Sequence, residues 1–229
     1  MSFKINKNIK RKPTQLDMSK QCLRIQPIYS EKLHNEVFDG DNLIIRPYSY
    51  YKQFRPNEIL ELMIAKKMYV LPTDELCDFL DELVGDKSAI EIGAGMGYLG
   101  RELDIKMTDS YSKNNPEVIK QSYYDDTMNY PSDVECIEGI SAIKKYRPHT
   151  VLSSFLVSEK LIDKKGTTFG VNTKEILKLC KRYIHIGNLD LHCNDPILEK
   201  LHSEIESPAL ITRLQDPEKD RLFIWEKLF

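Results

Sequence analysis

The stretch Ser88-Ala89-Ile90-Glu91-Ile92-Gly93-Ala94-Gly95-Met96-Gly97-Tyr98-Leu99-Gly100 decides the fold. Ala89 to Ile92 is a short apolar run, broken only by Glu91. Glycines follow at alternate positions, Gly93, Gly95 and Gly97, and Met96 to Leu103 reads as the opening of a helix. A strand that enters a glycine turn and then a helix suits a nucleotide-like ligand. Glycine takes positive φ and lets a ligand approach the backbone. The first turn of the next helix leaves N–H groups unpaired.

Glu91 narrows the choice of ligand. A dinucleotide pyrophosphate is anionic and would be repelled by a carboxylate two residues before the glycines. S-adenosylmethionine carries a sulfonium and an ammonium and no phosphate, so a carboxylate at the strand end suits it. A second acid fits the same ligand. Asp109 closes the run Ile105-Lys106-Met107-Thr108, sixteen residues after Gly93. A carboxylate there can accept hydrogen bonds from both ribose hydroxyls.

Glu91 to Gly97 resembles motif I of the class I S-adenosylmethionine-dependent methyltransferases, acid-x-Gly-x-Gly-x-Gly, and Asp109 matches that family's ribose-binding acid. The resemblance implies a Rossmann-like α/β domain. Its mostly parallel sheet has seven strands, helices on both faces and a C-terminal antiparallel hairpin. It implies that Glu91, Gly93, Ala94 and Gly95 hold the methionine part, and Asp109 and Ser110 the ribose. Glu138 and Gly139, after the third strand, match the adenine-binding positions. Ser153-Ser154, at the end of the fourth strand, would face the methyl group, with Ser153 taken as the cofactor-binding position. The implied activity is methyl transfer from S-adenosylmethionine to a small molecule or protein side chain. The stretch Ser153-Ser154-Phe155-Leu156 lacks the Asn/Asp-Pro-Pro-aromatic motif of enzymes that methylate amino groups of DNA. No catalytic base is assigned, although His192 is a candidate. Two rival readings are a cofactor-binding module or partner subunit without turnover, and a small NAD(P)-binding oxidoreductase.

Bulk properties agree with a globular chain. It has 229 residues, 41% apolar and 30% charged, and a formal net charge of −2. That balance creates no global field to recruit nucleic acid or acidic membrane. The five cysteines form no Cys-x-x-Cys pair, as expected of free thiols in a reducing, cytoplasmic compartment. No apolar run approaches the ~20 residues that span a bilayer, and Met1 to Lys7 lacks the apolar core of a leader peptide.

Residues 1–55 read as a partly flexible extension and 56–229 as the methyltransferase domain. The first residues read as loose, with Lys4, Lys7, Lys10, Arg11 and Lys12 ahead of any acid, so RNA contact stays open. Tyr48, Tyr50, Tyr51 and Phe54 either cap an acceptor pocket or pack the extension against the domain. Thr73 reads as the N-cap of a helix ended by Gly85. His185, Asp190, His192 and Cys193 have metal-ligand chemistry but no paired spacing, so no metal is expected. Asp195-Pro196 reads as the start of a last helix bearing Ile197, Leu198, Leu201 and Ile205. Residues 209–214 and 221–225 alternate like strands. They are separated by too few residues for a crossover helix, so they are expected to pair antiparallel.

Overall fold

The computed structural model describes residues 3–17, 26–86, 88–119, 127–161, 168–214 and 216–227. Its frame is an eight-stranded sheet: β1 (Lys4–Ile9), β2 (Ala89–Ile92), β3 (Lys106–Asp109), β4 (Val134–Cys136), β5 (Thr150–Ser154), β6 (Arg182–Asn188), β7 (His202–Glu206) and β8 (Asp220–Glu226). The spatial order is β1-β7-β8-β6-β5-β2-β3-β4. Strands β4, β3, β2, β5 and β6 run parallel, while β8 is antiparallel to both its neighbours and β1 to β7. Chain order reverses direction across the sheet between β2 and β5, and such a switch point opens a crevice at the strands' carboxyl ends.

Helices cover both faces. On one, α3 (Asp74–Val84) packs Leu76, Cys77 and Leu80 onto Leu152, Ile184 and Leu222. Thr73 caps it, its hydroxyl accepting from Leu76 N–H at 3.2 Å. On the other, α5 (Gly139–Tyr146) and α6 (Thr173–Leu179) pack Ala142, Ile143 and Ile176 onto Ile90, Val151 and Tyr183. A third cluster joins α1 (Glu31–Val37) to α2 (Pro56–Ala65) through Leu33, Val37, Leu62 and Met63. Tyr51 is buried in this cluster, so the tyrosine-rich segment packs the extension. The short α4 (Tyr98–Glu102) follows the glycine turn, and Phe38 meets its Tyr98 edge-on.

Three expectations are corrected. The chain's beginning is not loose: Lys4–Ile9 is the eighth strand, where Lys4 pairs with Glu206 at 3.6 Å and Arg11 with buried Glu204. The last helix shrinks to a 3₁₀ turn, Pro196–Glu199, and His202–Glu206 is a strand. The partner of β8 is therefore β7, through Ser203 to Ile205, and not residues 209–214. Ile211–Thr212 instead pairs with Val70–Leu71 in a separate two-stranded sheet. Both edges of β8 are taken, by β6 and β7, which leaves no place for a further strand.

Among the described residues no helix is long and apolar enough to cross a membrane. Of the described cysteines, Cys77 and Cys180 are buried, Cys193 is half-buried and Cys136 is exposed, all as free thiols; Cys22 lies outside the described residues.

Candidate functional site

A cavity of about 380 Å³ opens at the carboxyl ends of β2, β3 and β5, where Glu91, Gly93, Ala94, Gly95, Asp109 and Ser110 all line it. That size falls within the roughly 300–1,000 Å³ of small-molecule sites. Gly93, Gly95 and Gly97 take φ of 64°, 56° and 71°. A Cβ on Gly97 would stand 2.7 Å from the Met107 sulfur. The turn thus requires glycine for both conformation and closeness.

The loop's own N–H groups are largely committed. Ala94 donates to Thr108 O at 3.0 Å, Gly95 to Asp109 Oδ2 at 2.9 Å, and Gly97 to Ala94 O at 2.9 Å. A loop that binds pyrophosphate keeps such donors for the ligand.

Glu91 is 2% exposed, and its Oε2 accepts from Gly100 N–H at 2.9 Å. Burial pushes its carboxyl up to about 8; the Gly100 N–H opposes the rise and the Asp109 charge adds to it. Asp109 closes β3, and its Oδ1 accepts from Tyr111 N–H at 2.8 Å. Burial raises its carboxyl too, against the N–H groups of Gly95 and Tyr111. Each carboxylate oxygen has two lone pairs, so Asp109 keeps acceptor capacity toward the cavity.

The other expected positions lie apart. Glu138 is exposed and spends both oxygens capping α5, accepting from Ile140 and Ser141 N–H at 2.9 Å each. It lines a neighbouring surface groove with Ser110, Tyr111 and Phe169. Gly139 is packed between Ile92 and Val171. Ser153 faces the opposite side of the sheet, fully buried, 2.8 Å from both Tyr183 Oη and His185 Nδ1. Its neighbour Ser154 lines the cavity, with a buried Oγ that has no hydrogen-bond partner among the described residues. Strand alternation explains the exchange, since Glu91 pairs with Leu152 and residues two apart share a face.

His192 is 3% exposed and packs edge-on against Phe155; Phe155 lines the cavity and His192 does not. His185 meets His192 at 4.6 Å; burial, then the neighbouring imidazole, hold His185 well below the ordinary imidazole range. Among the described residues no three His, Cys, Asp or Glu side chains converge as metal ligands.

The motif I resemblance sets the loop Tyr69 to Thr73 near the cofactor's amino-acid end, and Tyr69 and Val70 line the wall; Lys67 just before them and Met128 from the loop before β4 line it too and were not singled out in the sequence. Met128 N–H donates to Asn114 Oδ1 and its carbonyl accepts from Asn114 Nδ2, each at 2.9 Å, folding that loop back. Residues 120–126, with Tyr123 to Asp126, lie outside the described residues. Phe155 and Lys67 on the wall, and Tyr111 beside it, take φ of 53°, 55° and 56°. Left-handed backbone at bulky residues is strained, and such strain collects at ligand sites.

Comparison with protein-family models, curated proteins and solved structures gives no match for this chain.

Proposed function

We propose that this protein is a class I S-adenosylmethionine-dependent methyltransferase acting on an acceptor other than DNA. One observation carries the reading: two carboxylates and a glycine turn that match the motif by sequence line one cavity at the sheet's switch point. The seven strands from β4 across to β7 supply the Rossmann-like frame, and β1 is an addition at the edge.

The residues fit the cofactor. Glu91, buried beside the turn, would hold its charged end. Gly93 to Gly95 would pass beneath the methionine part, and Asp109 would take the ribose hydroxyls. The cofactor supplies a methyl group on a positively charged sulfur. The protein's part is to align an acceptor with that methyl and to exclude water, which alone contributes a large share of such a rate. Phe155, Leu156 and Val157 form an apolar wall suited to that exclusion. An NAD(P) reading fits less well, because Ala94, Gly95 and Gly97 donate their N–H groups internally and keep few donors for a pyrophosphate.

The test is calorimetric titration with S-adenosylmethionine. Asp109→Ala should weaken binding at least tenfold, about 1.4 kcal/mol. Equal dissociation constants would remove the ribose assignment, and stronger binding of NAD(P) would remove the class. That His192 is not among the lining residues favours a second reading, a module that binds without turnover. S-adenosylhomocysteine formed in the presence of cell extract excludes it.

A further inference from the structure

The sheet carries another groove at its opposite end. The cavity opens at the carboxyl ends of β2, β3 and β5, whereas this groove, of about 450 Å³, lies where β6 begins and β8 ends. Lysines from four parts of the chain line it. Lys174 and Lys178 belong to α6, Lys181 to the turn into β6, Lys200 to the end of the 3₁₀ turn, and Lys227 follows β8. The lining carboxylate among the described residues is Glu226, which accepts from Arg182 Nε at 2.7 Å. The whole chain has a net charge of −2, so these cations are gathered here against the general balance.

Several of these cations have contacts within the chain. Lys227 Nζ donates to Lys178 O at 2.7 Å, a bond to a neutral carbonyl that cancels no charge. Lys174 acts on the buried Asp195 carboxyl, and Lys178 on Glu175, which itself pairs with Lys144 at 2.8 Å. Lys181 has its own contact as well. With Glu226, Glu175, Asp195 and the nearby Glu199 all set against them, the lysines and Arg182 still leave the region positive. The basic run at the chain's beginning adds to it. Arg11 N–H donates to Leu198 O at 2.9 Å, which brings the exposed Lys10 and Lys12 alongside the segment that ends at Lys200. The rest of the lining is apolar: Leu177, Cys180, Trp225 and Leu201, the last 51% exposed.

We propose that this groove docks an acidic segment of a partner protein, whose carboxylates meet the lysines and whose leucine-like side chains cover Leu177 and Leu201. Charge of one sign around an apolar strip selects a chain that is both acidic and apolar. The attraction depends on the sum of the charges and not on any one lysine being unpaired. Nucleic acid would match the charge but brings no aliphatic side chain to the strip. Single strands are held by stacking on open aromatic faces, and Trp225 is 3% exposed. Among the described residues none lines both the groove and the cavity, so the inference is independent of the cofactor reading.

The experiment titrates the full chain with a blocked peptide of about ten residues made of glutamate and leucine, followed by calorimetry and by the emission of Trp225, the single tryptophan. The peptide should bind, change that emission and weaken as salt is added. A peptide of glutamate and glycine should bind at least fivefold more weakly. Lys174→Glu with Lys200→Glu should weaken the leucine peptide at least tenfold. Lys32→Glu with Lys52→Glu, the same change of net charge placed in the extension, should leave it within about twofold. Leu201→Asn should remove most of the advantage of the leucine peptide over the glycine peptide, and it tests the site without reversing a charge. No binding, binding with no change in Trp225 emission, or equal losses in the two double variants overturns the proposal. So does tighter binding of an oligouridylate of about ten nucleotides, which would make the groove a nucleic-acid surface.

Discussion

At the scale of single residues, Glu91 couples ligand charge to protons. Its carboxyl, lifted by burial to about 8, is mostly protonated at pH 7 before a ligand binds. A cation beside it favours the ionised form. Binding of S-adenosylmethionine at pH 7 should therefore release close to one proton, and affinity should rise with pH until about 8. Calorimetry in two buffers of different protonation heat counts that proton, and Glu91→Gln should bring the count near zero. Equal counts in both proteins would assign the proton to another group. Glu91, the glycines and Asp109 were legible in the sequence because a strand, a turn and the next strand end are local. Ser153 was not, since one residue of register moves a side chain across the sheet. Of the serine pair expected there, Ser154 is the one that lines the cavity. Glu138 was legible as an acid after a strand, but its use as a helix cap was not, because either role needs the same residue type.

Among the elements, α4 shows how tightly the turn is built. Gly100 lies inside this helix, and a Cβ there would stand 2.6 Å from Glu91 Oε2 and 2.6 Å from Met107 Cγ. An exposed helical glycine gains about 1 kcal/mol on replacement by alanine. Gly100→Ala should do the reverse and destabilise by about 1–3 kcal/mol through overpacking. Urea unfolding followed by the fluorescence of Trp225, the single tryptophan, measures this; a gain in stability would mean that Glu91 does not sit under Gly100. Strand β7 illustrates the opposite limit of local reading. Ile197, Leu198, Leu201 and Ile205 keep helical spacing, yet His202 to Glu206 is extended. The buried residues of β7 include His202 and Glu204, which sequence alone assigns to solvent. Glu204 is tolerated there because Arg11 and His202 bond to it. Burial would raise its carboxyl, and these partners more than offset that and hold it at about 2. Arg11 comes from the far end of the chain, so no local window shows the match.

Over the whole molecule, buried carboxyls set how stability depends on pH. Glu91 and Asp220 are raised to about 8 and about 7, each chiefly by burial. Unfolded carboxyls titrate near 4. Between those values the folded chain holds protons that the unfolded chain has released, so the free energy of unfolding falls as pH rises. Glu204 works in the other direction, contributing stability above the ordinary carboxyl range that is lost as pH falls toward 2. The melting temperature of Glu91→Gln relative to the native chain should therefore increase from pH 5 to pH 8; a constant difference would mean that Glu91 is ionised in the fold. The sequence by itself determined an α/β chain with a glycine turn between carboxylates, since turn chemistry and hydrophobic runs act over a few residues. Only the tertiary structure decided which strand lies beside β8, that the basic beginning of the chain is a strand, and that Lys67 and Lys113 share a cavity with Glu91. Those outcomes depend on long-range pairing and on charges matched across the whole chain, and a side chain's partner there has no fixed distance along the sequence.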